Sequence, residues 1–576
     1  MPLNRREHCI TSKFAFVDQT NLLKSLTNYS IMKQWLIVLL SFVLASWGTS
    51  AKSQVTVDVA NRIGASSFDY ANGLTVDAQG NIYVTGSFSG SNASFGLNAN
   101  GVPVTRTSSG SEDIFVAKYN PSGRVLWVQT AGAAGNNADR GQKIELDGMG
   151  NVYVVGFFSG TASFSPTESR RSNGDDDAFV AKYDVNSGNL VWAAAFGGPQ
   201  KDRANAIDTD DQGNIYVTGF FQGQVTLGNQ TLVSRGENDI FTISWTGNAA
   251  LRWAARSGST AVDEGESIVW DRGNIYTTGR FSGTADFVNP GGQTFTNITA
   301  AGLSDLFVTR RNATTGELNW VVRGGGIQSD YGYDIAADGM DNIVVAGRFS
   351  GVNAGFASSN QPDVNLSSVV ATTGPTEDAF VIKYTNMGNI VWAKTIGGTL
   401  IDYATGVDVD GFGRVTVSGQ FQGDFDFDGN PNKRVTSNGN YDVFFAAYDM
   451  NGNFVDVLTY GGNSDDRPTD HFAFNETAGS FRIAATGNFF NAIRFGNQPL
   501  LLSAGQSDGF VIGLTYGTPS ACDLPTPSIA AGAVVNCAQL LTATNFVGAS
   551  TFEWRRDNVV IPDANQSTFN ATQTGN

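Results

Sequence analysis

The segment Asp424-Phe425-Asp426-Phe427-Asp428-Gly429-Asn430-Pro431-Asn432 carries the residue types most suited to holding an ion. Acidic oxygens at alternate positions before a glycine open many calcium loops. The candidate ligands are Asp424, Asp426, Asp428, Asn430 and Asn432. The Glu that closes a twelve-residue calcium loop is absent, since Val435 stands twelfth. The same alternation describes a strand end with two Phe facing in and Asp facing out. Phe427 falls in the slot that Phe164, Leu227 and Phe287 fill elsewhere in the chain. Both readings stand at this point: calcium is a candidate ligand, and no cofactor is required.

Other chemistry is thinly supplied. Two His and three Cys in 576 residues remove most zinc sites, Ser-His-Asp triads and iron–sulfur clusters. His471 stands alone and reads as a packed or surface residue. Cys522 and Cys537 could pair in an oxidising compartment. Arg170-Arg171, before Asp175-Asp176-Asp177, read as solvated loop charges. Lys+Arg 36 against Asp+Glu 53 gives a formal charge of −17, which argues against nucleic acid and anionic membrane surfaces as partners.

The elements that would position any site come from repetition. A unit opening at Asp69 returns at Asp139, Asp202, Asp263, Asp330, Asp402 and Asp466, at steps of 70, 63, 61, 67, 72 and 64 residues. Gly-x-Phe-x-Gly recurs from Gly86 to Gly419 and decays at Gly487, where Asn491 replaces the second Gly. Asp-x-Phe recurs at Asp113, Asp177, Asp239, Asp305, Asp378, Asp442 and Asp508. Trp stands five residues before a Gly at Trp127, Trp192, Trp253, Trp320 and Trp392.

Each unit reads as four strands rich in Val, Ile, Tyr, Phe and Trp, separated by Gly, Asn, Asp and Pro turns. No apolar period of 3.6 residues appears beyond residue 53. The fold class expected is all-β, a seven-bladed β-propeller of four-stranded blades over residues 55–517. The last unit lacks a fourth strand after Tyr516. Val55–Arg62 has that strand's pattern and is expected to complete the blade, because unjoined sheet edges invite aggregation.

The flanks differ. Lys33 precedes the apolar run Trp35–Trp47, which is too short to span a bilayer and reads as the core of a secretory signal over 32–53. Residues 1–31 are then an awkward extension, with Met32 a plausible start. No other run is long enough for a transmembrane span. Residues 518–576 open with a Pro-rich linker and continue to Cys537 and Phe552-Glu553-Trp554.

The pattern Asp77-Ala78-Gln79-Gly80-Asn81-Ile82-Tyr83-Val84-Thr85-Gly86 and its copies resembles the SBBP-type repeats of bacterial secreted proteins. That resemblance implies a seven-bladed propeller and export, and implies no reaction. The tail resembles the Ig-like modules at the C-terminal end of Bacteroidetes surface proteins, cut short at Asn576.

The function expected is an exported, non-enzymatic binding or display scaffold at the cell surface. Its partner would be protein or glycan, met on the face that bears the long second-to-third-strand loops. A secreted polysaccharide hydrolase or lyase is the alternative, against which no Asp or Glu pair stands out from the repeat. A structural surface spacer is the third reading.

Overall fold

The computed structural model describes residues 54–368, 376–427, 434–477 and 480–517, with short strands in the tail. The chain divides into two units, Val55–Thr515 and the two ends together. In the latter, Leu540–Thr542 pairs with Thr568–Asn570, and Arg555–Arg556 with Val559–Val560. The signal segment, the linker, both cysteines of the tail and most of the expected Ig-like module lie outside the described residues.

Residues 55–515 form a β-propeller. The unit opening at Asp69 folds as the antiparallel meander Tyr70–Val76, Ile82–Phe88, Gly110–Tyr119 and Val125–Ala133. Five more units, through the one opening at Asp402, each complete a meander from their own strands. The last does not: six blades are complete within their own units, against the seven blades expected. Asp466–Thr477, Ser480–Ile493 and Leu501–Gly517 supply three strands, and Gln54–Ile63 pairs beside the third. Arg62 reaches Asp508 at 2.6 Å, and Asn61 donates to the Gly123 carbonyl of the next blade at 2.6 Å. The first strands pack each on the next, and Asp466–Thr477 packs on Tyr70–Val76, which closes the cycle.

The repeated markers are solutions to one packing problem. Every first strand carries a bulge two to four residues after its opening Asp. The bulge brings a first-strand carbonyl against the first Gly of Gly-x-Phe-x-Gly. A Cβ on Gly347 would lie 1.9 Å from the Tyr331 carbonyl oxygen. The opening Asp is a buried cap: Asp69 accepts the N–H groups of Ala65 at 2.7 Å and Ser89 at 2.8 Å. The Asp113 series caps the loop before its own strand, as Asp113 does for Ser109 at 2.7 Å. Asp thus satisfies backbone groups that the turns leave over.

Each Trp latches one blade to the next. The Nε1 groups of Trp127, Trp192, Trp253, Trp320 and Trp392 donate to Val185, Gly247, Ala313, Asn386 and Met450, at 2.9–3.2 Å. Each acceptor lies in the last turn of the following blade. The constant spacing to Gly predicts burial between blades for all five; Trp253 is buried, and the other four are half-buried. Trp253→Ala is expected to cost ~3–5 kcal/mol in chemical denaturation. Trp127→Phe, which keeps the ring and loses the bond, should cost ~1 kcal/mol.

The long second-to-third-strand connections are not open loops. Most fold into hairpins, and four of these pair with the outermost strand of the preceding blade. Thr161–Ser165 pairs with Val125–Ala133, and Thr284–Val288 with Leu251–Gly258. Ala354–Phe356 pairs with Leu318–Gly325, and Asp424–Asp426 with Ile390–Gly398. They cover what would otherwise be raw outer edges. Phe164, Phe287, Phe356 and Phe425 are buried beneath them.

Candidate functional site

The first strands are where the units stop repeating. Three, four and six residues after the opening Asp, the second unit has Gln142, Lys143 and Glu145, and the third has Asn205, Ala206 and Asp208. The fifth has Tyr333, Asp334 and Ala336. These side chains join neighbouring inner strands. Asn72 donates to the Gly141 carbonyl at 2.8 Å, Asn205 to Gly265 at 2.9 Å and Thr405 to Pro468 at 3.0 Å. Carboxylates do the converse and accept from the next blade. Asp470 accepts the Leu74 N–H at 2.9 Å, Asp334 that of Val407 at 2.8 Å and Asp408 that of Ala473 at 2.6 Å.

This inner ring gathers carboxylates around Lys143. Lys143 Nζ lies 2.8 Å from Asp470. Burial opposes its charge, but Asp470 and Asp334 hold its pKa above the ordinary value. Burial, with Asp208 nearby, pushes Glu145 up to about 8. Burial pushes Asp208 and Asp408 up to about 7. Glu266 is raised to about 7 by burial and by Glu264. His471, on the first strand of the composite blade, is buried and lowered by that burial to about 4. Its ring nitrogens lie 2.9 Å from the Thr416 and Ser418 hydroxyls, so it is a neutral packed residue.

These shifts fix a pH dependence. A carboxylate whose pKa is raised on folding binds more protons in the folded state, so its contribution improves as pH falls through the folded value. Asp139, Asp202 and Asp466, raised chiefly by burial to about 7, 7 and 8, add to the inner ring in this direction. His471 opposes it, since stability is lost as pH falls from 6.5 towards about 4. Asp77, held low against burial by its turn hydrogen bonds, and Asp338, held low by Lys383 and then by its turn, lose their contribution in acid. The carboxylates outnumber the histidine. The melting temperature is expected to rise from pH 8 to about 5 and to fall again below about 4; scanning calorimetry across that range checks it.

Aromatic rings and arginines line the start of the first strands on the face that carries the hairpins. Tyr331 and Tyr333 stack at 5.7 Å, and Tyr403 lies 6.3 Å from Tyr333. The Arg348 guanidinium sits 4.2 Å from the Tyr331 ring centroid and 4.6 Å from that of Tyr403. It also pairs with Glu377, which accepts the Tyr403 hydroxyl at 2.6 Å. Arg280 donates to the Tyr331 hydroxyl at 2.9 Å and pairs with Glu264 at 2.6 Å. Tyr331, Tyr333, Tyr403, Arg280, Arg348 and Glu377 are all half-buried. Flat apolar faces beside fixed donors and acceptors are what polar ligands with apolar ring faces require.

Of the residues chosen from sequence, Asp424 and Asp426 lie on the hairpin strand Asp424–Asp426, and Phe425 and Phe427 are buried. Asp424 is exposed and accepts the Thr436 hydroxyl at 2.6 Å. Asp428, Asn430 and Asn432 lie outside the described residues. Among the described residues, no group of three or more His, Cys, Asp or Glu is placed to hold a metal ion. Arg170 pairs with Glu168 on the same hairpin strand, and Asp176 pairs with Arg203 of the next unit. The inner ring and the Tyr–Arg rim are not evident from the repeat. Aligning the first strands and asking where they differ is the signal that finds them.

Comparison with known proteins agrees with the repeat. Two segments, residues 61–92 and 191–219, match the family model of the SBBP β-propeller repeat. The chain is a β-propeller repeat protein. It is 26% identical over 332 residues to an uncharacterised WD repeat-containing protein, L264, of Acanthamoeba polyphaga mimivirus. That match covers 49% of this chain and 24% of the relative. It is 28% identical over 123 residues to the regulatory protein FlaEY of Caulobacter vibrioides, covering 21% of this chain and 12% of FlaEY. The chain thus spans a quarter or less of these relatives. Among solved structures, the quinohemoprotein alcohol dehydrogenase of Comamonas testosteroni is similar at a TM-score of 0.36 and 10% identity. That likeness covers 84% of this chain and 79% of the enzyme, and says nothing of function.

Proposed function

We propose that this protein is an exported, non-enzymatic binding scaffold: a propeller of seven blades, counting the composite one, that meets protein or glycan at the cell surface. The signal-like segment 32–53 supports export, and the Ig-like pattern of the tail supports a surface location. The observation that carries the binding reading is the cluster of Tyr331, Tyr333 and Tyr403 with Arg280 and Arg348, in which Tyr333 stands where every other unit has Asn, Gln, Glu or Thr. It refines the place of contact. Ligand meets the inner rim of the hairpin-bearing face, because the hairpins themselves are spent on covering neighbouring blades. Calcium at Asp424–Asn432 remains a proposal for ordering that hairpin. Among the described residues no helix is long and apolar enough to cross a membrane.

Glycan and protein arrays probed with the full chain, with and without calcium, test this reading. Arg348→Ala and Tyr333→Ala are expected to weaken any captured ligand at least ~10-fold with the fold retained. A ligand indifferent to both variants removes the rim as the site.

One observation favours a second reading, a carboxylate-dependent polysaccharide hydrolase. Glu145 and Asp208 occupy equivalent positions on adjacent inner strands, and both are raised towards neutrality, where an acid catalyst works. Release of reducing ends from polysaccharide, abolished in Glu145→Gln, would establish it.

A further inference from the structure

We propose that the hairpin strand Thr294–Thr299 is a self-association edge, through which two copies of this chain pair antiparallel about a two-fold axis at Asn297. This strand is the outermost of a six-stranded sheet that begins with Asp202–Thr209. It is six residues long, Thr-Phe-Thr-Asn-Ile-Thr, rich in β-forming residues and uncharged. Its counterparts are blunted as natural edges usually are. Pro103–Arg106 carries Pro and Arg, and Glu168–Arg171 carries three charges. Val364–Leu366 and Val435–Thr436 have only three and two residues. Gln230–Val233 has four and pairs only within its own hairpin.

The free hydrogen-bonding groups follow from register. Thr299 faces Thr284, Asn297 faces Asp286, and Ala300 donates to the Gly283 carbonyl at 2.8 Å. Because antiparallel pairs alternate, Ile298 and Thr296 bond inward with Ala285 and Phe287. Asn297 and Thr299 therefore turn their N–H and C=O groups outward, and Phe295 is the extra residue of a bulge opposite Phe287 and Val288. A two-fold axis at Asn297 sets Asn297 against its own copy and Phe295 against Thr299. That register bonds each Asn297 to its copy and sets Thr296 beside Ile298. An axis at Thr296 or Ile298 would centre the pair on a residue already bonded inward.

Charge selects the same place. Two chains of formal charge −17 repel, and Phe287–Ser304 contains no charged residue. Phe295 is 43% exposed, and Leu303 and Ile327, brought close where Gly302 abuts the Ile327 backbone, are 68% and 75% exposed. Self-pairing about a two-fold axis consumes both edges, so it yields a closed dimer and not a fibre. The inference rests on the fold and is independent of the ligand at the rim.

Light scattering and sedimentation of the full chain across a dilution series test it. Twice the chain mass is expected, dissociating on dilution. Asn297→Lys places like charges on the axis and should weaken the dimer ~100-fold or more. Thr231→Lys, on Gln230–Val233, should leave it unchanged. Oxidised Asn297→Cys should give a dimer on non-reducing gels that the parent chain lacks. A parent chain of single mass at every concentration overturns the proposal. So does a dimer that ignores Asn297→Lys, including one explained by another chain's strand seated there.

Discussion

Deletion of residues 54–63 from the full chain is expected to abolish the cooperative unfolding transition. Val59 and Ile63 are 3% and 0% exposed, and burial of two such side chains is worth about 3–6 kcal/mol. A domain has about 5–15 kcal/mol in total. The deletion also strips the partner from Leu501–Gly517, frees Asp508 from Arg62, and removes the Asn61 bond to Gly123. Dye binding to apolar surface should rise, and a peptide of residues 54–63 added in trans should partly restore the transition. An unaltered melting curve would show that ring closure does not depend on this strand.

Gly347→Ala is expected to be nearly as damaging, at about 3 kcal/mol or more in chemical denaturation. The added methyl would meet the Tyr331 carbonyl at 1.9 Å and the Phe380 ring at 2.9 Å. Neither can withdraw. Tyr331 belongs to a first strand held between its neighbours, and Phe380 is fully buried. Gly355→Ala is the control, since its Cβ would meet only the Asn365 side chain, at 3.5 Å. A loss below about 1 kcal/mol, equal to the control, would mean that the bulge relaxes and that this glycine is not a steric requirement.

The contrast between Gly347 and Tyr333 shows what a sequence of this kind reveals. Gly347 serves a backbone contact repeated in every unit, so recurrence alone marks it. The pairing of Gln54–Ile63 with the last unit is legible for the same reason: a missing strand and a spare one share a pattern. Tyr333, Asp334 and Lys143 answer to no repeat, and a reading built on recurrence passes over them. The hairpins mislead in a different way. Their lengths vary as those of loops do, yet Phe164, Phe287 and Phe356 bury themselves under the preceding blade's edge. That contact lies between units and leaves no signature within one. The segment Asp424–Phe427 shows the ambiguity at its sharpest, since alternate Asp and Phe serve a strand and an ion loop equally well.

The hairpins that reach back to cover a neighbour's edge give the molecule the logic of overlapping roof tiles. In a linear array of repeats, units add and fray nearly independently, and a repeat can be gained or lost at little expense. Here a unit removed from the circle takes away the cover for the blade before it and the Trp latch for the blade after it. The ring should therefore melt as one body rather than tile by tile. Gaining or losing one unit should therefore cost the closed ring far more than it costs a linear array.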